Sequence, residues 1–288
     1  MSAAQGAPAR VGLLGGGRMG AGIAHAFLLA GSRVTVVERD GSSADSASTR
    51  IRESLTRSVQ RGSTAASLEE LEHALEVRLD IEAFAGCDLV VEAVPEDRAL
   101  KLDALMRVES VLAGSASLAS NTSSISIDDL ARGLRDPARF LGLHFFNPVP
   151  ASTLVEIVAG TETEPALVDA ARRWVAAIGK TPVVVRDAPG FASSRLGVAL
   201  GLEAVRMLEE GVASAEDIDA AMELGYRHPM GPLRTTDIVG LDVRLGIAEE
   251  LHDKLGERFA PPALLRRLVA EGHLGRKTGR GFYEWSEQ

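Results

Sequence analysis

The sequence predicts an α/β protein: a mostly parallel sheet in its first part, followed by an all-helical region. Three observations carry that expectation. Gly15-Gly16-Gly17-Arg18-Met19-Gly20 lies between a short apolar run, Val11 to Leu14, and a helical stretch, Ala21 to Leu29. β-branched or continuous apolar runs then recur between helical patterns, as buried parallel strands require. After Asp187-Ala188-Pro189-Gly190 the strand signal fades, and helical patterns broken by Gly and Pro take over.

Taken in order, Val34-Thr35-Val36-Val37 is a β-branched strand that ends at Glu38. With the glycine turn and its helix it makes a βαβ unit of about thirty residues. Residues 46–73 are polar with spaced Ile51, Leu55, Val59 and Leu68, which predicts one long or two short surface helices. A short strand is expected near Leu75 to Val77, a buried one over Leu89 to Val94, and a helix over Leu100 to Leu112. Further strands fit Ser117 to Ser120, Arg139 to Phe145, Leu154 to Val158 and Thr181 to Val185, with a helix over Pro165 to Ile178. From Phe191 to Leu274 the helices are expected to break at Gly211, Gly225 and Pro229-Met230-Gly231-Pro232. The organisation is therefore a disordered tail over 1–9, an α/β domain over 10–187 and a helical domain over 188–288, with no internal repeat.

Composition narrows the function classes. The 288 residues are 45% hydrophobic, enough for a substantial core. The formal charge of -9 speaks against a nucleic-acid footprint but not against a small anionic ligand. Cys87 is the single cysteine, so no internal disulfide framework exists; the sequence shows no ligand cluster and no metal is expected. Nothing reads as a membrane span or a secretory signal, and a cytoplasmic protein is the expectation.

The glycine turn carries the first chemistry. Gly15 permits a tight turn, Gly17 lacks the side chain that would block a pyrophosphate, and Gly20 lets the helix pack close to the sheet. Arg18 and Met19 lie inside this turn and count with it as cofactor-binding positions; Met19 also reads as packing beside the loop. The helix N-terminus favours negative charge, so the diphosphate of a dinucleotide belongs there. Glu38 follows 18 residues after Gly20, near the spacing of the acid that holds the ribose hydroxyls. Its charge repels a 2'-phosphate and so favours NAD over NADP, although Arg39 beside it works the other way. A glycine turn that only packs is the competing reading.

His144 ends one apolar run, and Glu156 sits inside the next, Leu154-Val155-Glu156-Ile157-Val158. A carboxylate among aliphatics needs a partner, and an imidazole N–H is a natural one. A histidine at the carboxyl end of a parallel strand faces the ligand crevice in this class of fold and suits proton transfer. The pair reads equally well as a buried structural histidine and an unrelated glutamate. Arg50, Arg52, Arg57 and Arg61 are either a phosphate-facing stripe or a solvated helix face. Cys87 reads as filler before a strand, and Tyr283 and Trp285 as anchors of the C-terminus.

Several motifs stand in order along the chain: Gly15 to Gly20, Val91-Glu92-Ala93-Val94-Pro95-Glu96, Asn121-Thr122-Ser123-Ser124 and His144-Phe145-Phe146-Asn147-Pro148. Gly231-Pro232-Leu233, Asp237-Ile238-Val239-Gly240-Leu241-Asp242 and Leu274-Gly275-Arg276-Lys277-Thr278-Gly279-Arg280-Gly281-Phe282-Tyr283 follow. From Val11 to Trp285 the chain resembles the 3-hydroxyacyl-CoA dehydrogenase family. The resemblance implies a Rossmann-like NAD-binding domain and a helical domain that commonly dimerises, hence a homodimer. It implies an enzyme that uses NAD to interconvert an (S)-3-hydroxyacyl-CoA, such as 3-hydroxybutyryl-CoA, and the 3-oxoacyl-CoA. It assigns His144 as the catalytic histidine, Glu156 as its acid, and Ser123 as a serine near the substrate hydroxyl and the nicotinamide. Glu96 and Lys101 match residues near the nicotinamide ribose, and Glu38 the position that holds the adenine-side ribose. One departure stands out: the family pattern Gly-Phe-x-x-Asn-Arg-Leu is here Gly190-Phe191-Ala192-Ser193-Ser194-Arg195-Leu196. Ser194 occupies the position of an asparagine close to the substrate and is shorter, with one donor. That keeps open a carrier-linked thioester or a free hydroxy acid as substrate. A non-catalytic, crystallin-like NADH-binding protein is a further alternative.

Overall fold

The computed structural model describes residues 6–285. The chain forms two compact units, divided between Asp187 and Ala188. The first holds one eight-stranded sheet. Its strands are β1 (Arg10–Leu14), β2 (Arg33–Val37), β3 (Leu75–Arg78), β4 (Leu89–Glu92), β5 (Ser117–Ser120), β6 (Phe140–Phe145), β7 (Leu154–Ala159) and β8 (Thr181–Arg186). Across the sheet they run β3-β2-β1-β4-β5-β6-β7-β8. All neighbours are parallel except β6 and β7. The exception follows from chain length: residues 146–153 are too few for a crossover, so β7 turns back beside β6.

The helices of this unit are α1 (Arg18–Leu29), α2 (Gly41–Gln60), α3 (Leu68–His73), α4 (Arg98–Val111), α5 (Ile127–Ala131) and α6 (Pro165–Ala177). Strand order reverses at β1, between β2 and β4, and a doubly wound sheet opens its ligand crevice at the carboxyl ends of the strands there. α1 is buried from Gly20 to Leu28, because it packs on the sheet and α2 packs on it. Phe27 and Leu28 are fully covered, and burying each such side chain stabilises by about 2 kcal/mol.

Several boundaries differ from expectation for local reasons. The polar stretch is two helices, and α2 starts at Gly41 because Asp40 caps it through the Ser43 N–H at 2.7 Å. α3 has a full capping box between Ser67 and Glu70. β4 stops at Glu92, whose Oε1 accepts the Val94 N–H at 2.7 Å in place of a ladder bond. α5 was invisible in the pattern because it has one turn and a Ser126 cap. Of the tail expected over 1–9, residues 1–5 lie outside the described residues, and 6–9 are a correction. There the Pro8 carbonyl accepts the buried Ser32 hydroxyl at 2.7 Å and the Ala9 carbonyl accepts the Arg33 N–H at 2.9 Å. These bonds satisfy groups that burial would otherwise strand.

The second unit contains α7 (Ser193–Glu209), α8 (Ala215–Tyr226), α9 (Pro232–Val239), α10 (Leu241–Leu255) and α11 (Ala263–Ala270). Val198, Leu202, Val205, Leu233, Leu241, Leu251 and Leu265 form its core. Gly225 does not break a helix; α8 runs through it and ends at Arg227 in the left-handed region, φ 58°. Two buried acids organise the unit. Asp219 accepts the Leu233 N–H at 2.8 Å, the Arg234 N–H at 2.9 Å and the Tyr283 hydroxyl at 2.7 Å. Asp237 accepts the Phe282 and Tyr283 N–H groups at 2.9 and 3.0 Å and Trp285 Nε1 at 2.7 Å. Tyr283 and Trp285 thus hold the terminal segment as expected, and the late motifs form one hydrogen-bonded knot around two charges.

His25 on α1 makes folding pH-dependent. It is 4% exposed, with Nε2 against Ser58 Oγ at 2.8 Å and Nδ1 enclosed without a partner. Burial, then the Lys180 and Arg57 charges, push its pKa from 6.5 down to about 4. Protons therefore bind the unfolded chain first. This contribution is fully present above pH 6.5 and is lost as pH falls toward about 4, a loss of about 3 kcal/mol. Thermal melts between pH 7 and 5 are expected to show a falling Tm that His25→Leu flattens. An equal slope in the variant would assign the effect elsewhere.

Candidate active site

The site is built on the carboxyl edge of the sheet. β1 ends at Leu14, and Gly15 turns the chain with φ +93° while its N–H donates to the Val37 carbonyl at 2.9 Å. That conformation is costly for any residue with a Cβ. A Cβ on Gly20 would stand 1.8 Å from the Gly15 carbonyl oxygen, so α1 can lie against the turn only without one. A Cβ on Gly17 would meet nothing within 4 Å. Gly17 is the N-cap of α1 and supplies no side-chain cap, whereas Asp40, Ser67, Asp97 and Ser126 cap α2 to α5. The first-turn amides of α1 therefore face open space, the arrangement that suits a diphosphate. Arg18 is exposed and Met19 packs half-buried against the sheet core.

Glu38 follows β2, and its Oε1 accepts the Gly16 N–H at 2.6 Å, which fixes the carboxylate beside the turn. The Arg39 guanidinium is directed to Asp40, Nε to Oδ2 at 3.0 Å. Its charge is thus countered by a neighbouring acid, which weakens the one feature that favoured a 2'-phosphate.

Beyond β4 and β5 lies a buried charged cluster. Glu92 and Ser120 are cross-strand partners. Glu92 Oε2 accepts the Ser120 hydroxyl at 2.6 Å, and Oε1 accepts the Lys101 ammonium at 2.8 Å. Lys101, on α4, is fully buried and also donates to the Val94 carbonyl at 3.2 Å and pairs with Glu96 Oε2 at 3.3 Å. The other Glu96 oxygen accepts the Thr122 hydroxyl at 2.6 Å, and the Ser123 N–H and hydroxyl at 2.8 and 3.1 Å. Burial pushes the Glu96 carboxyl up, but the Lys101 ammonium and the Thr122 and Ser123 hydrogen bonds outweigh it and hold the group below the usual carboxylate range. Lys101 thus spends its three donors on protein oxygens and bears on the site through Glu96. Asn121 ties the loop to β6 by accepting the Phe145 N–H at 2.9 Å.

His144 and Glu156 are directly opposed across the antiparallel β6–β7 pair. His144 Nδ1 lies 2.8 Å from Glu156 Oε2, with His144 6% and Glu156 1% exposed. A carboxylate only accepts, so Nδ1 carries the proton in this contact. The sheet register therefore joins two residues whose spacing of 12 meant nothing in sequence. Phe146 packs its ring on the imidazole at 4.4 Å between centroids. Lys180 holds the loop that follows by donating to the Val149 carbonyl at 2.6 Å and to the Ser152 carbonyl.

Other marked residues take plainer places. Ser194 lies in the first turn of α7, in the second unit. Arg52 and Arg57 pair with Glu72 and Glu53 on the surface, and Arg50 approaches the Gly16 carbonyl at 3.5 Å. Lys277 is engaged by both oxygens of Asp242 at 2.6 Å. Cys87 is buried. Among the described residues no group of acids, histidines and cysteines could hold a metal ion, and no helix is long and apolar enough to cross a membrane. Glu92 was missed by the sequence reading. Its signal was present: a glutamate inside Leu89-Val90-Val91-Glu92-Ala93-Val94 needs a partner for the same reason Glu156 does.

Two family models cover nearly the whole chain. Residues 10–188 match the NAD binding domain of 3-hydroxyacyl-CoA dehydrogenase, and residues 190–285 match its C-terminal domain. The chain belongs to the 3-hydroxyacyl-CoA dehydrogenase family. It is 41% identical over 280 residues to the 3-hydroxybutyryl-CoA dehydrogenase of Mycobacterium tuberculosis, covering 96% of this chain and 98% of that one. It is 39% identical over 277 residues to a probable 3-hydroxybutyryl-CoA dehydrogenase of Deinococcus radiodurans, covering 96% and 100%. Its fold is similar to the crystal structure of (S)-3-hydroxybutyryl-CoA dehydrogenase from Ralstonia eutropha, with a TM-score of 0.93, 36% identity, and coverage of 98% and 100%. As a member of the 3-hydroxyacyl-CoA dehydrogenase family it is an NAD enzyme. Its own residues fit that cofactor: open space at Gly17, uncapped amides on α1, and a carboxylate at Glu38.

Proposed function

We propose that this chain is an NAD-dependent oxidoreductase that interconverts an (S)-3-hydroxyacyl-CoA and its 3-oxoacyl-CoA, with 3-hydroxybutyryl-CoA in its range. The observation that carries the chemistry is the buried His144–Glu156 pair at 2.8 Å. NAD, when bound, supplies the hydride acceptor. In the oxidative direction His144 Nε2 takes the hydroxyl proton, and Glu156 stabilises the imidazolium that results. In reduction the protonated ring returns that proton to the developing alkoxide. Ser123 holds the reacting oxygen, and Glu96 orients Ser123. Lys101 is a positioning residue, since it sets Glu96. Gly15, Gly17, Gly20, Arg18 and Met19 form the diphosphate turn, and Glu38 takes the adenine-side ribose hydroxyls. The N-terminal unit binds the cofactor; the helical unit serves substrate binding through Ser194.

The helical unit also serves dimerisation. Leu196, Leu224 and Tyr226 are 71%, 83% and 75% exposed, more bare apolar surface than solvent favours. A homodimer is expected by sedimentation, and a monomer at working concentration would reject it.

The function is tested by following oxidation of NADH and NADPH with acetoacetyl-CoA, its carrier-linked form and free acetoacetate. Turnover of the CoA thioester with NADH is the expected result. Turnover of the free acid alone rejects the thioester reading, and NADH binding without any turnover supports a crystallin-like role. Within the turn, Gly17→Ala is expected to keep the melting temperature within about 2 °C, because the new methyl meets only space. It should weaken NADH binding tenfold or more, because the diphosphate can no longer approach the backbone. A calorimetric titration with unchanged affinity would remove Gly17 from the site.

A further inference from the structure

Gly16, inside the glycine turn, is buried. Helix α2 is seated directly on it: a Cβ at Gly16 would overlap the Ala47 Cβ and stand 3.4 Å from Glu38 Oε1. Ala47 is fully buried, and Arg50 follows it one turn later on the same face of α2. The Arg50 guanidinium therefore comes back over the turn, with Nη1 3.5 Å from the Gly16 carbonyl oxygen. On its other side Gly16 donates its N–H to Glu38 Oε1 at 2.6 Å. One residue of the turn thus carries an acid at its amide and a cation at its carbonyl.

Arg50 differs from the arginines around it. Arg39 is paired with Asp40 at 3.0 Å, Arg52 with Glu72 at 3.5 Å and Arg57 with Glu53 at 3.8 Å. Among the described residues no acid pairs with Arg50, and its contact to Gly16 is at the long end of the hydrogen-bond range. A carbonyl carries only a partial charge and takes one donor of the fork, so a full positive charge and the other N–H groups remain for a ligand. Two opposed fields then act where the adenine-side ribose belongs. Glu38 accepts ribose hydroxyls and repels a 2'-phosphate, whereas a guanidinium attracts one. Glu38 prevails, because its carboxylate is fixed by a short bond to the turn, while Arg50 is exposed and its charge is screened by solvent. Discrimination against the phosphate is therefore partial.

We propose that Arg50 is a cofactor-specificity residue: it takes the 2'-phosphate of NADPH beside the glycine turn, so that this NAD enzyme also binds NADPH at reduced affinity. The proposal rests on the reading of the turn as the dinucleotide site and concerns the N-terminal unit alone. The arginine next to Glu38 along the chain is not the one that serves. Asp40 counters Arg39, and the cation arrives instead from α2, through the packing of Ala47 on Gly16.

The test is a fluorescence titration of the full chain with NADH and with NADPH, with no acyl substrate present. The wild type is expected to bind NADPH roughly ten- to a hundredfold more weakly than NADH. Arg50→Met keeps an unbranched stem and removes the charge. It should weaken NADPH by roughly a further tenfold, leave NADH within about threefold, and leave the Tm close to that of wild type. Arg50→Lys should keep part of the NADPH affinity, since a point charge attracts phosphate without the fork. Arg39→Met should leave the NADH-to-NADPH ratio unchanged, and Glu38→Gln should bring the two affinities together. Equal losses on both cofactors in Arg50→Met overturn the proposal, because they mark a residue that only packs on the turn. Unchanged NADPH affinity in that variant also overturns it, as does NADPH binding too weak to measure in the wild type. A ratio that moves in Arg39→Met and not in Arg50→Met assigns the phosphate to the other arginine and overturns it too. Failure to bind either cofactor removes the dinucleotide site as well, whereas tight NADH binding with an unmoved ratio removes Arg50 alone.

Discussion

Replacing His144 with alanine is expected to lower kcat a hundredfold or more while NADH affinity stays within about threefold. General acid–base catalysis by a positioned histidine contributes on this scale. The imidazole is placed by two independent constraints. The β6–β7 register sets His144 directly opposite Glu156, and the 2.8 Å contact to Oε2 orients the ring. The cofactor turn lies at β1 and β2 and uses neither residue, so binding and turnover should separate. Glu156→Gln tests the second constraint. The amide keeps the size but removes the charge that supports an imidazolium, so turnover should fall and the pH–rate profile should shift, with the fold intact. Steady-state kinetics and a fluorescence titration with NADH measure both quantities. Unchanged kcat in His144→Ala would move the acid–base role to another residue, and a Glu156→Gln variant altered only in Tm would make that acid structural.

Lys101→Met is expected to destabilise the chain by about 3–5 kcal/mol, the usual cost of stranding one partner of a buried ion pair. Both side chains of the Lys101–Glu92 pair are fully buried. The methionine fills the volume but leaves Glu92 with only the Val94 N–H and the Ser120 hydroxyl. Adding Glu92→Gln should recover much of the loss, because the uncompensated charge is then gone. Chemical denaturation of the single and double variants decides it. If the double variant is no more stable than Lys101→Met, the loss comes from packing and the ion pair contributes nothing. The single variant should also raise KM or lower kcat, since Lys101 sets Glu96 and Glu96 holds Ser123.

The two groups of predictions differ in how visible their residues were in the chain. The glycine turn was readable because its logic is local. A positive φ at Gly15, space at Gly17 and close approach at Gly20 are properties of six consecutive residues. Strand runs and helix patterns were readable for the same reason, since side-chain periodicity follows backbone geometry. Errors fell where a local rule met a long-range one. Gly225 looked like a break, yet α8 includes it and ends one residue later, with Arg227 and not a glycine in the left-handed position. Residues 6–9 looked like a free tail, yet Ser32 and Arg33 needed their carbonyls.

His144 and Glu156 could be marked as costly or suitable, but spacing alone could not pair them. Pairing depends on which strands are neighbours and in what register, and a shift of one residue would turn the glutamate to the opposite face. The same holds for Glu92, Glu96 and Lys101, which come from β4, the loop after it and α4. Composition, turn chemistry and periodicity follow from neighbours along the chain, and they set the fold class and the cofactor. The partner of each buried charge follows from neighbours across it. Burial makes an ionised group depend on whatever lies within a few ångströms, and only the folded chain decides what that is.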